Sequence, residues 1–126
     1  MVPRAIYSVA IIPLLISGSA NAMCLGGRHP SLEEEARNSS AIVIGVVQSI
    51  SDLSEDLSDP GGVTATLYTV KVTRRLKGKM KHLVQIRSEN TSSRFVMEKN
   101  QRYRLFLSAA GNEYIVDSCG NSSAMN

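Results

Sequence analysis

The sequence has no tryptophan, and its aromatic content is only 5%, four tyrosines and two phenylalanines in 126 residues. That scarcity argues against a single-stranded nucleic-acid surface, which needs successive platforms for stacked bases. Histidines number two, His29 and His82, and neither stands in a metal-ligand spacing. No zinc site built by this chain alone is expected, and no cofactor is implied. A strong charge bias is also missing: 14 Lys and Arg against 11 Asp and Glu give a formal net charge of +3. So small an excess aids solubility without defining a partner, whereas nucleic-acid binders concentrate a larger one, so no nucleic acid is expected.

Long apolar runs are confined to the N-terminus. Arg4 supplies a positive n-region, residues 6–16 are apolar apart from Tyr7, Ser8 and Pro13, and Ala20-Asn21-Ala22 is a small-residue cleavage site. The pattern predicts a signal peptide over residues 1–22 and one exported domain over residues 23–126, secreted or periplasmic. The run is too short to cross a bilayer, which takes roughly 20 apolar residues. No later segment approaches that length, so no transmembrane segment is expected after cleavage. A retained N-terminal anchor is the alternative.

Cysteine is as sparse as histidine. Cys24 and Cys119 lie at opposite ends of the mature chain, and in an oxidising compartment they read as one disulfide tying the N-terminus to the last strand. Lipidation of Cys24 is the rival, but Asn21-Ala22-Met23 lacks a small residue just ahead of the cysteine, and lipidation would leave Cys119 unpaired. In the chain-entropy picture, closing a loop this long removes on the order of 4 to 5 kcal/mol of denatured-state freedom. Cys24 and His29 as thiol and base lack a third, orienting group, so a non-enzymatic protein is expected.

Along the mature chain, residues 24–30 are irregular, with Gly26, Gly27 and Pro30. Ser31 followed by Glu34 forms a capping box for a short helix whose Leu32 and Ala36 are expected to face the core. Glu33, Glu34 and Glu35 suit its N-terminal dipole. Residues 41–47 are a continuous apolar, β-branched run, and Gly45 within it predicts a bulge or bend. Residues 49–62 are polar and end in Pro60-Gly61-Gly62, which predicts a long surface loop.

Residues 63–76 then alternate but change parity between Ala65 and Tyr68, the pattern of a bent strand. Lys77-Gly78-Lys79 reads as a turn. Residues 82–87, 103–108 and 114–116 read as further strands, with a brief pairing at residues 95–97 and turns at residues 99–101 and 110–112. The Ser/Asn-rich tail after Cys119 is expected to fray. The fold class is all-β with a short helix, a five-stranded OB-like closed barrel.

The order Cys24, Ser31-Leu32-Glu33-Glu34, Ser39-Ser40-Ala41-Ile42-Val43-Ile44-Gly45-Val46-Val47, Tyr68-Thr69-Val70-Lys71-Val72, Leu76-Lys77-Gly78, Tyr103-Arg104-Leu105-Phe106 and a terminal Cys119 resembles the netrin-like module. It is similar, more narrowly, to the N-terminal domain of tissue inhibitors of metalloproteinases and their bacterial relatives. The resemblance implies the same five-stranded barrel. It also implies a protease inhibitor whose N-terminal cysteine chelates the target's zinc through its α-amine and carbonyl, with Cys24, Leu25 and Gly26 as the inserted edge and the 88–94 loop beside it. In that family the mature chain begins at the cysteine and a second cysteine follows two residues on. Here Met23 precedes Cys24, and Gly26 holds the second position.

Three functional readings follow. The first is an exported binding module acting on a zinc metalloprotease or another exported protein through the Cys24 ridge. The second is an anion- or glycan-binding barrel using the basic hairpin 71–82, with Lys71, Arg74, Arg75, Lys77, Lys79 and Lys81 as its contacts. Solvated charge that blunts a sheet edge accounts for the same residues without a ligand. The third is a structural, envelope-associated domain.

Overall fold

The computed structural model describes residues 29–126. The predicted signal peptide, Met23 and the Cys24-Leu25-Gly26 edge lie outside the described residues.

One short helix, α1 (Leu32–Asn38), precedes six strands: β1 (Ala41–Leu53), β2 (Ala65–Lys77), β3 (Leu83–Glu89), β4 (Arg102–Ala110), β5 (Glu113–Val116) and β6 (Ser123–Met125). The Ser31 hydroxyl accepts from Glu34 N at 3.0 Å, as the capping box requires. Leu32 is half exposed and no residue of α1 is fully buried, so Leu32 does not face the core as expected, while Ala36 is half-buried. A helix of two turns on the outside of a sheet has little area to bury.

Five strands form a ring. β1 pairs antiparallel with β2 along its whole length and with β4 through residues 41–46, while β2 pairs with β3, β4 with β5, and β3 meets β5 in parallel at Ile86 and Tyr114. β1 serves two neighbours by bending. Its register with β2 slips at Ile42/Val43, at Ile44/Gly45 and again at Val47/Ser49, and extra residues of this kind kink a strand and increase its twist. Inside the ring, Val43, Val47, Val70, Val72, Val84, Ile86, Leu105 and Leu107 pack with Tyr68, Tyr103 and Met97. Phe106 is buried too, but on the opposite face of β4, where the Arg104 guanidinium lies 5.8 Å from its ring.

Three loop expectations change. β1 continues to Leu53, pairing Asp52 with Thr66 and Leu53 with Ala65, so only residues 54–64 are loop. Exposed Ser49, Ser51 and Asp52 hide the strand because that end of the hairpin stands clear of the core. Residues 95–97 form no strand. Their backbone is carried by side chains: the Tyr68 hydroxyl accepts from Met97 N at 3.2 Å, the Tyr103 hydroxyl from Glu98 N at 2.8 Å and the Ser88 hydroxyl from Phe95 N at 3.0 Å. Finally, the tail does not fray. β6 pairs with β4 at residues 102–104, and the Ser122 hydroxyl accepts from Phe106 N at 2.8 Å.

Candidate functional site

The sequence points to two places, and α1 touches both. The first is the N-terminal segment beside Cys119. His29 Nδ1 is 2.7 Å from the Cys119 carbonyl and its Nε2 is 3.1 Å from Asn121 Oδ1. Asn121 Nδ2 donates to the Pro30 carbonyl at 3.1 Å and to Glu35 Oε1 at 3.0 Å. Residues 29–35 are thus laced to residues 119–121. The 88–94 loop is tied elsewhere, since Asn90 N donates to the Thr64 carbonyl and Asn90 Nδ2 to Val63 at 2.8 Å.

The second place is the basic hairpin, and its six cations have separate jobs. Lys77 Nζ donates to the carbonyls of Ala36 at 2.8 Å, Arg37 at 3.1 Å and Ser39 at 2.8 Å. These are the carbonyls that the end of α1 leaves without helical partners, so Lys77 caps the helix from across the sheet. Arg75 Nε donates to the Met80 carbonyl at 2.7 Å and braces the turn. Lys71 and Arg74 are exposed on β2. Lys79 and Lys81 face a cleft.

That cleft, about 510 Å³, lies between β3 and the β4–β5 turn, lined by Thr69, Lys79, Met80, Lys81, Leu83, Val84, Gln85, Gly111, Asn112 and Tyr114. Its floor is the outer edge of β3, where Leu83 and Gln85 point out while Val84 and Ile86 point in. Its overhang is a two-residue hairpin. Gly111 at φ 67 is followed by Asn112, which is not in the positive-φ region, the arrangement of a type II′ turn with glycine first. Among the described residues no carboxylate lines the cleft. The volume falls within the ~300–1,000 Å³ of ligand pockets. The basic run marked the lysines in the sequence, but Thr69, Leu83, Gln85, Asn112 and Tyr114 belong to three separate segments that only the ring closure brings together.

Carboxylates gather at the other end of β3. Arg87 holds Glu55 and Glu89 together, fastening the 54–64 loop to the strand. Glu55 is held below the ordinary carboxylate value, chiefly by the hydrogen bond from Arg87, with a lesser contribution from Thr64. A lowered folded value means that the associated stability is present above the unfolded carboxylate range and is lost as pH falls through the folded value. Glu55 is exposed, so the effect on stability is small. A carbon-detected NMR titration is expected to place the Glu55 midpoint below the ordinary glutamate value, and Arg87→Gln to return it there; an unchanged midpoint in that variant would refute the assignment.

Among the described residues no group of three His, Cys, Asp or Glu side chains could hold a metal ion, and no helix is long and apolar enough to cross a membrane. No family model matches the chain, and no curated protein matches it.

Proposed function

We propose that the chain is an exported, non-enzymatic binding module on an OB-like closed barrel of the netrin-like kind, engaging an anionic partner at the β2–β3 face. A five-stranded ring in which β1 pairs with both β2 and β4 and β3 meets β5 in parallel supports the barrel. Such barrels bind ligands across the face of strands 2 and 3 and the loop joining strands 4 and 5, which is where the cleft lies. The observation that carries the reading is a carboxylate-free cleft with Lys79 and Lys81 in its wall. The disulfide between Cys24 and Cys119 belongs to the same proposal. Five residues of chain reach at most about 18 Å at ~3.3–3.6 Å each, and His29, five residues after Cys24, is bonded to the Cys119 carbonyl.

Salt-dependent retention on immobilised heparin tests the anion reading. Lys79→Ala/Lys81→Ala is expected to elute at clearly lower salt than the parent chain with its melting temperature unchanged. Lys77→Met, which removes a helix cap and one charge, is expected to lower the melting temperature while shifting elution less than the double substitution. Retention of Lys79→Ala/Lys81→Ala equal to that of the parent would end the reading.

A further inference from the structure

The ring closes least where β3 meets β5, and hydrogen-bond parity says what is left open there. Val72 N donates to the His82 carbonyl at 2.7 Å and Asn90 N to the Thr64 carbonyl at 3.0 Å. Both bonds continue the β2–β3 register, in which Val70 faces Val84 and Tyr68 faces Ile86. Bonded and non-bonded pairs alternate in an antiparallel ladder, so the even-numbered residues of β3 bond to β2. Leu83, Gln85 and Arg87 therefore turn their backbone N–H and C=O groups the other way, toward β5.

On that side β3 and β5 share one bridge, Ile86 with Tyr114. A parallel bridge there draws on the Gln85 carbonyl and the Arg87 amide. The N–H and C=O of Leu83 and the N–H of Gln85 are directed into the cleft. A row of this kind is a template for another strand.

We infer that this edge of β3 receives an extended acidic peptide as an added strand, which gives the anion-binding reading its partner class and rests on that reading. Strand addition draws affinity from main-chain bonds and specificity from alternate side chains. Leu83, 51% exposed, offers an apolar contact to one side chain of such a peptide. Lys79 and Lys81 meet acidic ones, and Lys71, directly opposite Leu83 on β2, adds a third cation on the same outer face. Lysines beside an open edge deter pairing between copies of a basic chain. Toward an acidic strand the same lysines become attractive. A saccharide is less well served, because Tyr114, the one ring that the described residues bring to the cleft, packs against the core and has less of its surface free for a sugar face.

The test presents the full chain to an array of acetylated octapeptides and, separately, to a short heparin oligosaccharide. Retained peptides are expected to carry acidic residues and an apolar one on the same strand face, at every second position. The tightest is expected to slow amide exchange at Leu83 and Gln85, and to lose at least tenfold in affinity when N-methylated at the alternate positions that would pair with β3. A similar loss is expected against Lys79→Glu/Lys81→Glu, whose substitutions are exposed and leave the melting temperature in place. The proposal is overturned if no peptide binds the parent chain better than that variant, or if the N-methylated peptide binds equally well. It is also overturned if the oligosaccharide alone shifts the Leu83 and Gln85 amides; that outcome leaves the anion reading standing. Loss of both peptide binding and heparin retention removes the two together.

Discussion

Gly45→Val is expected to cost about 3 kcal/mol or more, at the upper end of what overpacking a core exacts, and so to lower the melting temperature by about 12 °C or more at ~4–8 °C per kcal/mol for a domain of this size. A Cβ at this position would stand 2.6 Å from Val70 Cγ1 and 2.7 Å from the Lys71 carbonyl oxygen. The second obstacle is backbone and cannot swing aside. Gly45 also sits at a slip in register and pairs with both Val72 of β2 and Tyr103 of β4, so a displaced strand disturbs two ladders at once. Thermal unfolding followed by circular dichroism checks this, and a melting temperature within about 3 °C of the parent would show that β1 can retreat from β2 at little cost, given that ~4–8 °C corresponds to 1 kcal/mol.

Leu105→Ala is the other large effect expected. Leu105 is fully buried in the middle of β4, paired with Val43 of β1. Loss of a buried leucine side chain costs ~2–5 kcal/mol, against a total stability of ~5–15 kcal/mol for a typical domain. Urea unfolding should show a lower midpoint with an unchanged slope. Leu83→Ala is the control, since its side chain is half exposed at the cleft and surface changes usually stay within ~0.5 kcal/mol. Equal midpoints for the two variants would mean that the ring interior does not hold the fold.

How much of this was legible in the sequence depends on whether the governing interaction was local. The parity change between Ala65 and Tyr68 announced the change of buried face along β2: Ala65 faces in, then Tyr68, Val70 and Val72 do. Gly45 announced the slip in β1, and Gly111 the hairpin. Each signal needs only a few neighbouring residues. The outer half of β1 was missed because Ser49 to Leu53 owe their strand conformation to main-chain pairing with residues 65–69, which leaves no hydrophobic pattern behind. β6 was missed for the same reason, since Ser123, Ala124 and Met125 pair along an edge that β5 stops short of. The basic hairpin was visible as a cluster of charge, yet composition could not separate Lys77, spent on the carbonyls of α1, from Lys79 and Lys81 at the cleft.

The single bridge between β3 and β5 bears on motion as well as recognition. A closed ring breathes first at its thinnest seam, and regions with few backbone bonds open at free energies well below that of global unfolding. A ligand seated between Leu83 and the Gly111-Asn112 turn would span that seam and act as a rivet, and any ligand bound to the folded state alone raises stability by mass action. Occupancy at the cleft would then be read across the molecule, as slower amide exchange in β3 and β5 and a higher melting point.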